Sequence, residues 1–267
     1  MTSREIDLYI EVANALADTV RCVVRPWFRR GIAVESKGDE SPVTVADRSA
    51  ERVMRALLAE RLPHHGVFGE EFGQDNPEAP YQWLLDPVDG TRAFVTGRPS
   101  FGTLIALFHE GKPLLGLLDQ PILEERWLGV SGRETVFSSS LGGRIGTRDV
   151  SLGEAEMSCT SPVMLVVAPH DGWKTLKSRA RRMTWGGDCY AYGLLALGQL
   201  DLIAECDMKP WDWGALVPIV QGAGGVMTRW DGSALGLEGD GTVLAAATPA
   251  LHAAACEALR AGVARAS

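Results

Sequence analysis

Residues 83–97 read WLLDPVDGTRAFVTG, so two aspartates, Asp86 and Asp89, follow directly after three large apolar residues. The apolar run predicts a buried strand. Asp-Pro and Asp-Gly are common in turns, because Pro87 has a fixed φ and Gly90 tolerates backbone conformations that other residues avoid. The stretch therefore fits either a plain strand-to-helix turn or a functional site at a strand end, and the rest of the chain has to decide between them.

The composition is that of an ordinary globular protein with an acidic charge balance. The chain has 267 residues, of which 46% are hydrophobic and 22% charged, and a net charge of −8. This length predicts one large domain or two closely packed ones. The negative charge argues against nucleic-acid binding, which needs a basic surface. No apolar run is long enough to span a bilayer, and the first residues, MTSREIDLYI, lack the features of a secretory signal. We therefore expect a cytoplasmic protein that binds neither nucleic acid nor membrane.

The cysteines predict neither disulfides nor a zinc site. Their number is odd, no two form a CxxC pair, and they stand at Cys22, Cys159, Cys189, Cys206 and Cys256. We expect reduced and mostly buried thiols.

The pattern of elements predicts an α/β protein in two halves. Residues 4–28 have the spacing of an amphipathic helix, and a second helix is expected to begin at a threonine cap in TVADRSAERVMRALLAERLP, residues 44–63. Residues 100–138 are apolar runs interrupted by Gly and Pro, which indicates an antiparallel meander. We predict a division into residues 1–138 and 139–267, with a seam near 138–150.

The second half alternates strands and helices, as α/β layers do. In this interpretation PVMLVVAP, residues 162–169, is a strand, and WDWGALVPIVQGAGG, residues 211–225, is one helix.

Acidic residues recur at the predicted ends of elements. Glu70 and Glu71 follow VFG, Asp86 and Asp89 follow WLL, and Asp212 opens a helix. Taken singly, each has a structural explanation, such as a helix cap or a solvated strand end. Element ends from separate parts of an α/β chain are also where such folds build their sites.

If these acids converge, they need a counter-charge. Two carboxylates about 4 Å apart repel by roughly 4 kcal/mol at an effective dielectric of about 20. Because the donors are all hard oxygens, with no paired His or Cys, they suit Mg²⁺ or Mn²⁺ better than zinc. Free N–H groups at Gly90 and Thr91, where a helical turn begins, favour a phosphate. The two interpretations of residues 83–97 are therefore compatible, because the turn itself forms the predicted phosphoryl-transfer site.

The motifs together resemble the inositol monophosphatase-like family of metal-dependent phosphatases. The two signatures are WLLDPVDGTRAFVTG and WDWGALVPIVQGAGG, preceded by SPVTVAD at 41–47 and GEE at 69–71. These motifs lie in order across residues 37–225. The resemblance implies a layered αβαβα sandwich that forms a homodimer.

The resemblance also implies a metal site for two or three Mg²⁺ ions, with Mn²⁺ as the substitute. The first ion is expected at Glu70, Asp86 and the Val88 carbonyl oxygen. The second is expected at Asp86, Asp89 and Asp212, with Asp86 bridging. Glu70 is further expected to help hold a third, weaker ion and so to count among the catalytic groups.

The remaining implied roles concern water and phosphate. Thr91, linked to Asp47, is expected to activate the attacking water, and the amides of Gly90 and Thr91 to hold the phosphate. Lys37 matches a basic loop residue near the site, and Glu71 is also expected near the site.

Within the family the chain looks most similar to histidinol-phosphate phosphatases, through DGTRAFVTGRPSFGTLIAL, GGDCYAYGLLALGQLDLIAE and KPWDWGALVPIVQGAGG. Ala93 stands where inositol phosphatases typically have Asn, and Asp188 where they tend to have a small residue. The implied reaction is hydrolysis of L-histidinol phosphate to L-histidinol and phosphate, a step of histidine biosynthesis.

Three alternatives stay open at this point: an inositol-1-monophosphatase, a broader sugar-phosphate phosphatase, or a metal-binding scaffold that has lost activity. The last is disfavoured because every expected acid and Thr91 are present.

The cationic leaving group of histidinol phosphate requires acids beyond those of the metal site. We expect Glu205 and Asp188 to supply them, with Arg92 also at the substrate. The structural alternative for Asp188 is an ordinary helix N-cap.

Overall fold

The computed structural model describes residues 2–31, 33–36, 42–166 and 170–263. The helices in these ranges are α1 (Ser3–Val24), α2 (Val45–Arg61), α3 (Thr91–Val95), α4 (His170–Arg179), α5 (Asp188–Ala196), α6 (Pro210–Trp213), α7 (Leu216–Gly222) and α8 (Pro249–Val263). The strands are β1 (Val34–Ser36), β2 (Pro42–Thr44), β3 (Gly66–Gly69), β4 (Gly73–Asp75), β5 (Tyr81–Asp89), β6 (Gly102–His109), β7 (Lys112–Gln120), β8 (Glu125–Val130), β9 (Val136–Ser138), β10 (Glu156–Cys159), β11 (Arg182–Trp185), β12 (Leu202–Glu205), β13 (Val226–Thr228) and β14 (Val243–Ala246).

Two sheets form the frame of the molecule. The first has seven strands in the order β4-β3-β5-β6-β7-β8-β9, and the second has five in the order β11-β10-β12-β14-β13. Strands β6 to β9 follow one another as antiparallel neighbours, so the predicted meander is confirmed. In the first sheet β3 pairs with β5 in parallel, and in the second β10 pairs in parallel with β11 and β12.

Alternation along the strands builds five layers. On β5, Trp83 and Leu85 pack into a core with α1 and α2, whereas Leu84 faces the opposite side, where it meets α5, α6 and α7. On β12, Ile203 joins this middle core, whereas Leu202 packs outward against α4 and α8. Successive side chains of a strand point to opposite faces, so each sheet is covered by helices on both sides. The predicted αβαβα sandwich is confirmed.

The middle layer is shared by both sheets, since one core contains residues of the first sheet and of the second. The division into residues 1–138 and 139–267 stays a prediction.

Two predictions of elements in the second half are wrong. Residues Met164–Val166 of PVMLVVAP form a turn of 3₁₀ helix, residues 167–169 lie outside the described ranges, and the strand lies earlier, at β10. Pro162 cannot donate to a strand ladder, whereas β10 is hydrogen-bonded on both sides by β11 and β12. The single helix predicted for 211–225 is broken into α6 and α7.

All five cysteines are free thiols, and all but the exposed Cys22 are buried, as predicted. Within the described ranges, no helix combines the length and the apolar character that crossing a membrane requires.

Candidate active site

A β-bulge brings Asp86 and Asp89 to the same side of the first sheet. Residues three apart on a regular strand point to opposite faces. Between these two aspartates, however, the pairing with β6 shifts by one residue, because Asp86 lies opposite Leu104 and Asp89 opposite Gly102. Val88, inside the bulge, packs toward α1 and α2. The extra residue therefore restores both carboxylates to the face that meets the middle layer.

The bulge is held by local hydrogen bonds. The Val88 N–H donates to Asp86 Oδ1 at 3.0 Å, and the Thr103 hydroxyl donates to the Pro87 carbonyl at 2.8 Å. Proline needs no donor partner, which makes a bulge one of the few places it occupies in a sheet. The strand thus continues to Asp89, beyond the apolar run WLL from which the sequence predicts it.

Asp212 of α6 completes an acid cluster with Asp86 and Asp89. One carboxylate oxygen of each residue lies within 4.8 Å of the corresponding oxygens of the other two. Asp212 is the third residue of α6, not its N-cap, and accepts the Lys209 N–H at 2.7 Å. Asp89 accepts the Cys189 N–H at the start of α5 at 2.6 Å. The backbone of the middle layer therefore fixes two of the three carboxylates.

Burial and mutual repulsion raise the pKa of every carboxyl in the acid cluster. Burial is the largest cause for Asp86, whose pKa lies well above its usual range, and the neighbouring carboxylates add to it. Burial and then Asp188 raise the pKa of Asp89. The pKa of Asp212 rises to about 7, again chiefly through burial. A cluster of hard oxygen donors that repel one another matches the chemistry of a divalent cation site.

Asp47 and Thr91 meet as the sequence predicts, although they are far apart in the chain. The Thr91 hydroxyl lies 3.3 Å from Asp47 Oδ1 and 3.1 Å from the Val88 carbonyl oxygen. Asp47 Oδ2 accepts both the N–H and the hydroxyl of Thr44, the N-cap of α2. Burial raises the pKa of Asp47 more than these hydrogen bonds lower it.

Glu70 stands in the turn between β3 and β4, residues 69–73. Its N–H donates to the Leu85 carbonyl at 3.1 Å, which places it beside the acid-bearing end of β5. Its charge is among the causes that raise the pKa of Asp86 and Asp212. The structure therefore brings Glu70 next to the acid cluster, but not into the three-residue group itself.

One residue at this turn was not predicted from the sequence. Glu51 of α2 is fully buried and accepts the backbone N–H of Glu71 at 2.7 Å. Glu51 stands four residues after Asp47, so both lie on one face of α2. This spacing was the only signal, because an acid in an amphipathic helix is ordinarily solvated.

A cleft of about 200 Å³ opens beside the acid cluster. Its lining consists of Glu70, Gly90, Thr91, Arg92, Thr160, Ser161, Met164 and Asp188. The cleft is thus formed by the β5–α3 junction on one side and by the β10 and α5 ends on the other. It is large enough for a phosphate group and part of its ester.

Asp188 lines the cleft and is not an N-cap. Gly187 occupies the cap position of α5, and no side chain bonds the cap. Burial raises the pKa of Asp188 to about 7, and Glu205 adds to this, whereas Arg98 and Arg92 act in the opposite direction. Its φ of 46° lies in the left-handed region, which non-glycine residues seldom adopt. The N-cap alternative is therefore wrong.

Glu205 lies behind the wall of the cleft. It is 3% exposed, and its carboxylate accepts the Thr160 N–H at 2.5 Å and the Tyr192 hydroxyl at 2.8 Å. Burial raises its pKa despite these donors. Glu205 thus reaches the cleft through Thr160, and its contact with a substrate stays a prediction. Lys37, by contrast, lies outside the described residues.

Similarity to known proteins extends over nearly the whole chain. The model of the inositol monophosphatase family matches residues 5–264. The bifunctional phosphatase IMPL2 of Arabidopsis thaliana, named as chloroplastic, is 45% identical over 235 residues, which are 87% of this chain and 67% of that protein. The histidinol-phosphatase of Mycobacterium tuberculosis is 37% identical over 233 residues, covering 84% of this chain and 88% of that protein.

A solved structure shows the same similarity in three dimensions. An inositol monophosphatase from Zymomonas mobilis superposes with a TM-score of 0.86 at 42% identity, covering 97% of this chain and 100% of that chain.

Proposed function

Because the chain belongs to the inositol monophosphatase family of phosphatases, we propose that it is a Mg²⁺-dependent phosphomonoesterase that hydrolyses L-histidinol phosphate. The observation that carries the proposal is the acid cluster of Asp86, Asp89 and Asp212 beside a cleft that is lined by a further acid, Asp188. The first feature suits a phosphate with its cations, and the second suits a cationic leaving group. Similarity to histidinol-phosphatases supports the choice of substrate.

The metal ligands are proposed as the sequence predicts them. Glu70, Asp86 and the Val88 carbonyl oxygen would hold one ion, and Asp86, Asp89 and Asp212 a second. When bound, such ions supply Lewis acidity, which neutralises phosphate oxygens and lowers the pKa of water.

Thr91 and Asp47 would position the attacking water. With the Thr91 hydroxyl donating to Asp47 Oδ1, a lone pair of Thr91 Oγ1 stays available to accept a hydrogen bond from water. The water oxygen forms a new bond to phosphorus as the ester oxygen leaves with the electron pair of the broken bond. The departing alkoxide takes up a proton and becomes the alcohol, and the other product is inorganic phosphate. Asp47, whose pKa is raised by burial, is suited to share the proton released by the water.

The backbone N–H groups of Gly90 and Thr91 would hold the phosphate at the start of α3, with Arg92 beside them in the cleft. Asp188 would accept a charge-assisted hydrogen bond from the ammonium or imidazolium of the leaving group. Glu205 would add negative potential from behind Thr160.

Inositol-1-monophosphatase activity is the second candidate, and a broader sugar-phosphate phosphatase activity is a variant of it. The observation in its favour is the 42% identity to a protein described as an inositol monophosphatase.

One assay separates the candidates. Phosphate release is measured with Mg²⁺ from histidinol phosphate, inositol 1-phosphate, fructose 1,6-bisphosphate and adenosine 3′,5′-bisphosphate side by side. We expect the highest kcat/KM for histidinol phosphate. Rapid cleavage of inositol 1-phosphate with negligible cleavage of histidinol phosphate would assign the protein to the second candidate.

Homodimer formation and a cytoplasmic location remain predictions. One relative, IMPL2 of Arabidopsis thaliana, is named as chloroplastic. Light scattering after size-exclusion chromatography tests the first, and imaging of a tagged full chain tests the second.

A further inference from the structure

The Glu51 side chain is a fully buried carboxylate with an arginine partner. It is 0% exposed, and Arg55, one helical turn further along α2, donates to Glu51 Oε1 at 2.8 Å. Glu51 also accepts the backbone N–H groups of Glu71 at 2.7 Å and Phe72 at 3.2 Å. A buried acid is stable only when such donors surround it. The pair therefore depends on the turn between β3 and β4, and the turn depends on the pair.

Arg55 extends this grip along the turn. Its guanidinium donates to the Gly73 carbonyl and to Asp75 Oδ2, each at 2.6 Å. Arg55 and Glu51 thus contact the turn and the beginning of β4 from its α2 side.

Glu70 lies between two fixed points of this turn. On one side its own N–H donates to Leu85 of β5 at 3.1 Å, and on the other the N–H groups of the next two residues donate to Glu51. The approach is very close, because a Cβ atom at Gly69 would stand 2.0 Å from Glu51 Oε1. A side chain at position 69 would therefore displace the Glu51 carboxylate from this contact.

The same face of α2 also carries Asp47, which reaches Thr91. One helix face thus contacts both the turn that bears Glu70 and the hydroxyl at the start of α3.

We propose that Glu51 is a positioning residue for the metal site: its carboxylate, paired with Arg55, holds the backbone turn that presents Glu70 to the cation. This inference rests on the proposed function, since it assumes that Glu70 is a metal ligand. Groups that orient a ligand from behind commonly change metal affinity by about 10–100-fold when they are lost.

Metal affinity measured without turnover tests the inference. Chelator-treated protein is titrated with Mg²⁺ by calorimetry, for the wild type, Glu51→Gln, Glu70→Gln and the double variant. We expect Glu51→Gln to weaken Mg²⁺ binding by about 10-fold or more. In the Glu70→Gln background the same substitution should cause little further loss, because a residue that acts through Glu70 has nothing left to position.

Asp201→Asn is the matched control. Asp201 is another fully buried carboxylate, with Arg148 and the Glu156 N–H as donors, but it lies directly before β12 of the second sheet. Both substitutions should lower the melting temperature, and only Glu51→Gln should lower Mg²⁺ affinity. If Glu51→Gln does not fold, Arg55→Lys provides the second test, with a smaller loss of affinity that also disappears in the Glu70→Gln background.

Wild-type affinity in Glu51→Gln, or equal losses with and without Glu70, would overturn the positioning role and leave the proposed function intact. Absence of Mg²⁺ binding by the wild type would instead overturn the proposed function and this inference with it.

Discussion

The Thr91 hydroxyl has one proton and two acceptors within reach, the Val88 carbonyl oxygen at 3.1 Å and Asp47 Oδ1 at 3.3 Å. Either arrangement leaves the lone pairs of Thr91 Oγ1 able to orient a water, but only donation to Asp47 links that water to a carboxylate that can share its proton. Removing the Thr91 hydroxyl therefore tests whether this residue has a catalytic role or only a structural one.

Thr91→Ala should lower kcat for histidinol phosphate by about 100-fold or more, which is the typical effect of a positioned proton transfer, and should change KM much less. Thr91→Ser keeps the hydroxyl and should keep most of the activity. Steady-state kinetics of both variants measure the effect. A kcat within a few-fold of the wild type for Thr91→Ala would leave Thr91 as a structural residue.

Asp188→Asn and Glu205→Gln should impair recognition of a cationic leaving group. Losing a hydrogen bond to a charged group costs roughly 1.5–3 kcal/mol, so KM for histidinol phosphate should rise by about 10-fold or more at Asp188, which lines the cleft, and less at Glu205, which lies behind Thr160. Glycerol 2-phosphate, whose leaving group is neutral, should be affected much less by either change.

Tyr192→Phe is the control for Glu205, since it removes one donor to that carboxylate and keeps the charge. If Glu205→Gln raises KM equally for histidinol phosphate and glycerol 2-phosphate, Glu205 supports the wall of the cleft without recognising the substrate.

The junction of β5 and α3 depends on backbone geometry as much as on side chains. The bulge turns Asp89 toward the middle layer, and Gly90 then takes a φ of 86° before the first residue of α3. A Cβ atom at Gly90 would lie 2.9 Å from Asp188 Cβ and Cγ. Gly90 is thus needed both for its left-handed conformation and for the close approach of α5.

Gly90→Ala should cost stability and activity together. The left-handed conformation alone costs roughly 1–2 kcal/mol for a residue with a Cβ, and the collision additionally displaces Asp188. Gly111→Ala separates the two effects, because Gly111 has a φ of 74° with nothing within 4 Å of the added atom. Urea unfolding should show a lower free energy of unfolding for both variants. Only Gly90→Ala should also lower kcat/KM. Unchanged kcat/KM in Gly90→Ala would refute the proposed role of this junction.

The acid cluster joins layers that are distant in the chain, since β5 belongs to the first sheet and α6 to the helices between the sheets. Without a cation, folding brings together carboxyls whose pKa values rise, that of Asp212 to about 7. A cation that binds only the folded chain stabilises it in proportion to its concentration relative to Kd. Metal binding and overall stability are therefore linked.

In chelator, the acid cluster should make the protein less stable as pH rises from about 4 to about 7. In that window the unfolded carboxyls, with pKa values near 3.9, have released protons that the folded cluster still binds, so the unfolding free energy falls with pH. Asp89→Asn should flatten this slope, lower activity by orders of magnitude and reduce the stabilisation by Mg²⁺.

Urea unfolding with chelator and with Mg²⁺, at several pH values, measures this linkage. The difference between wild type and Asp89→Asn isolates the cluster, because all other carboxyls are common to both. Mg²⁺ should stabilise the wild type more at pH 7.5 than at pH 5. Equal slopes for the two proteins in chelator would contradict a repulsive cluster.

Local patterns in the chain were sufficient for the α/β character, the meander and the position of acids at element ends, whereas the αβαβα sandwich was predicted from the family resemblance. Alternation of apolar residues reports which strands are covered on both faces, and the separation of Asp86, Asp89 and Asp212 among element ends indicates a common site. The same local reasoning placed a strand at 162–169, of which residues 164–166 instead form a 3₁₀ turn that follows a strand starting at Glu156. Apolar character alone does not specify which segment finds hydrogen-bonding neighbours.

Only the tertiary structure decided how the pieces of the site meet. Asp86 and Asp89 share a side because β6 pairs with β5 through a one-residue shift, and register is a property of two strands rather than one. Asp47, Glu51 and Arg55 follow a helical spacing visible in the chain, yet Glu51 is buried because a turn twenty residues later supplies its donors. Sequence patterns report how each element divides its apolar and polar faces. Packing between distant elements determines which polar groups are enclosed, and the cost of enclosing a charge makes those few contacts specific.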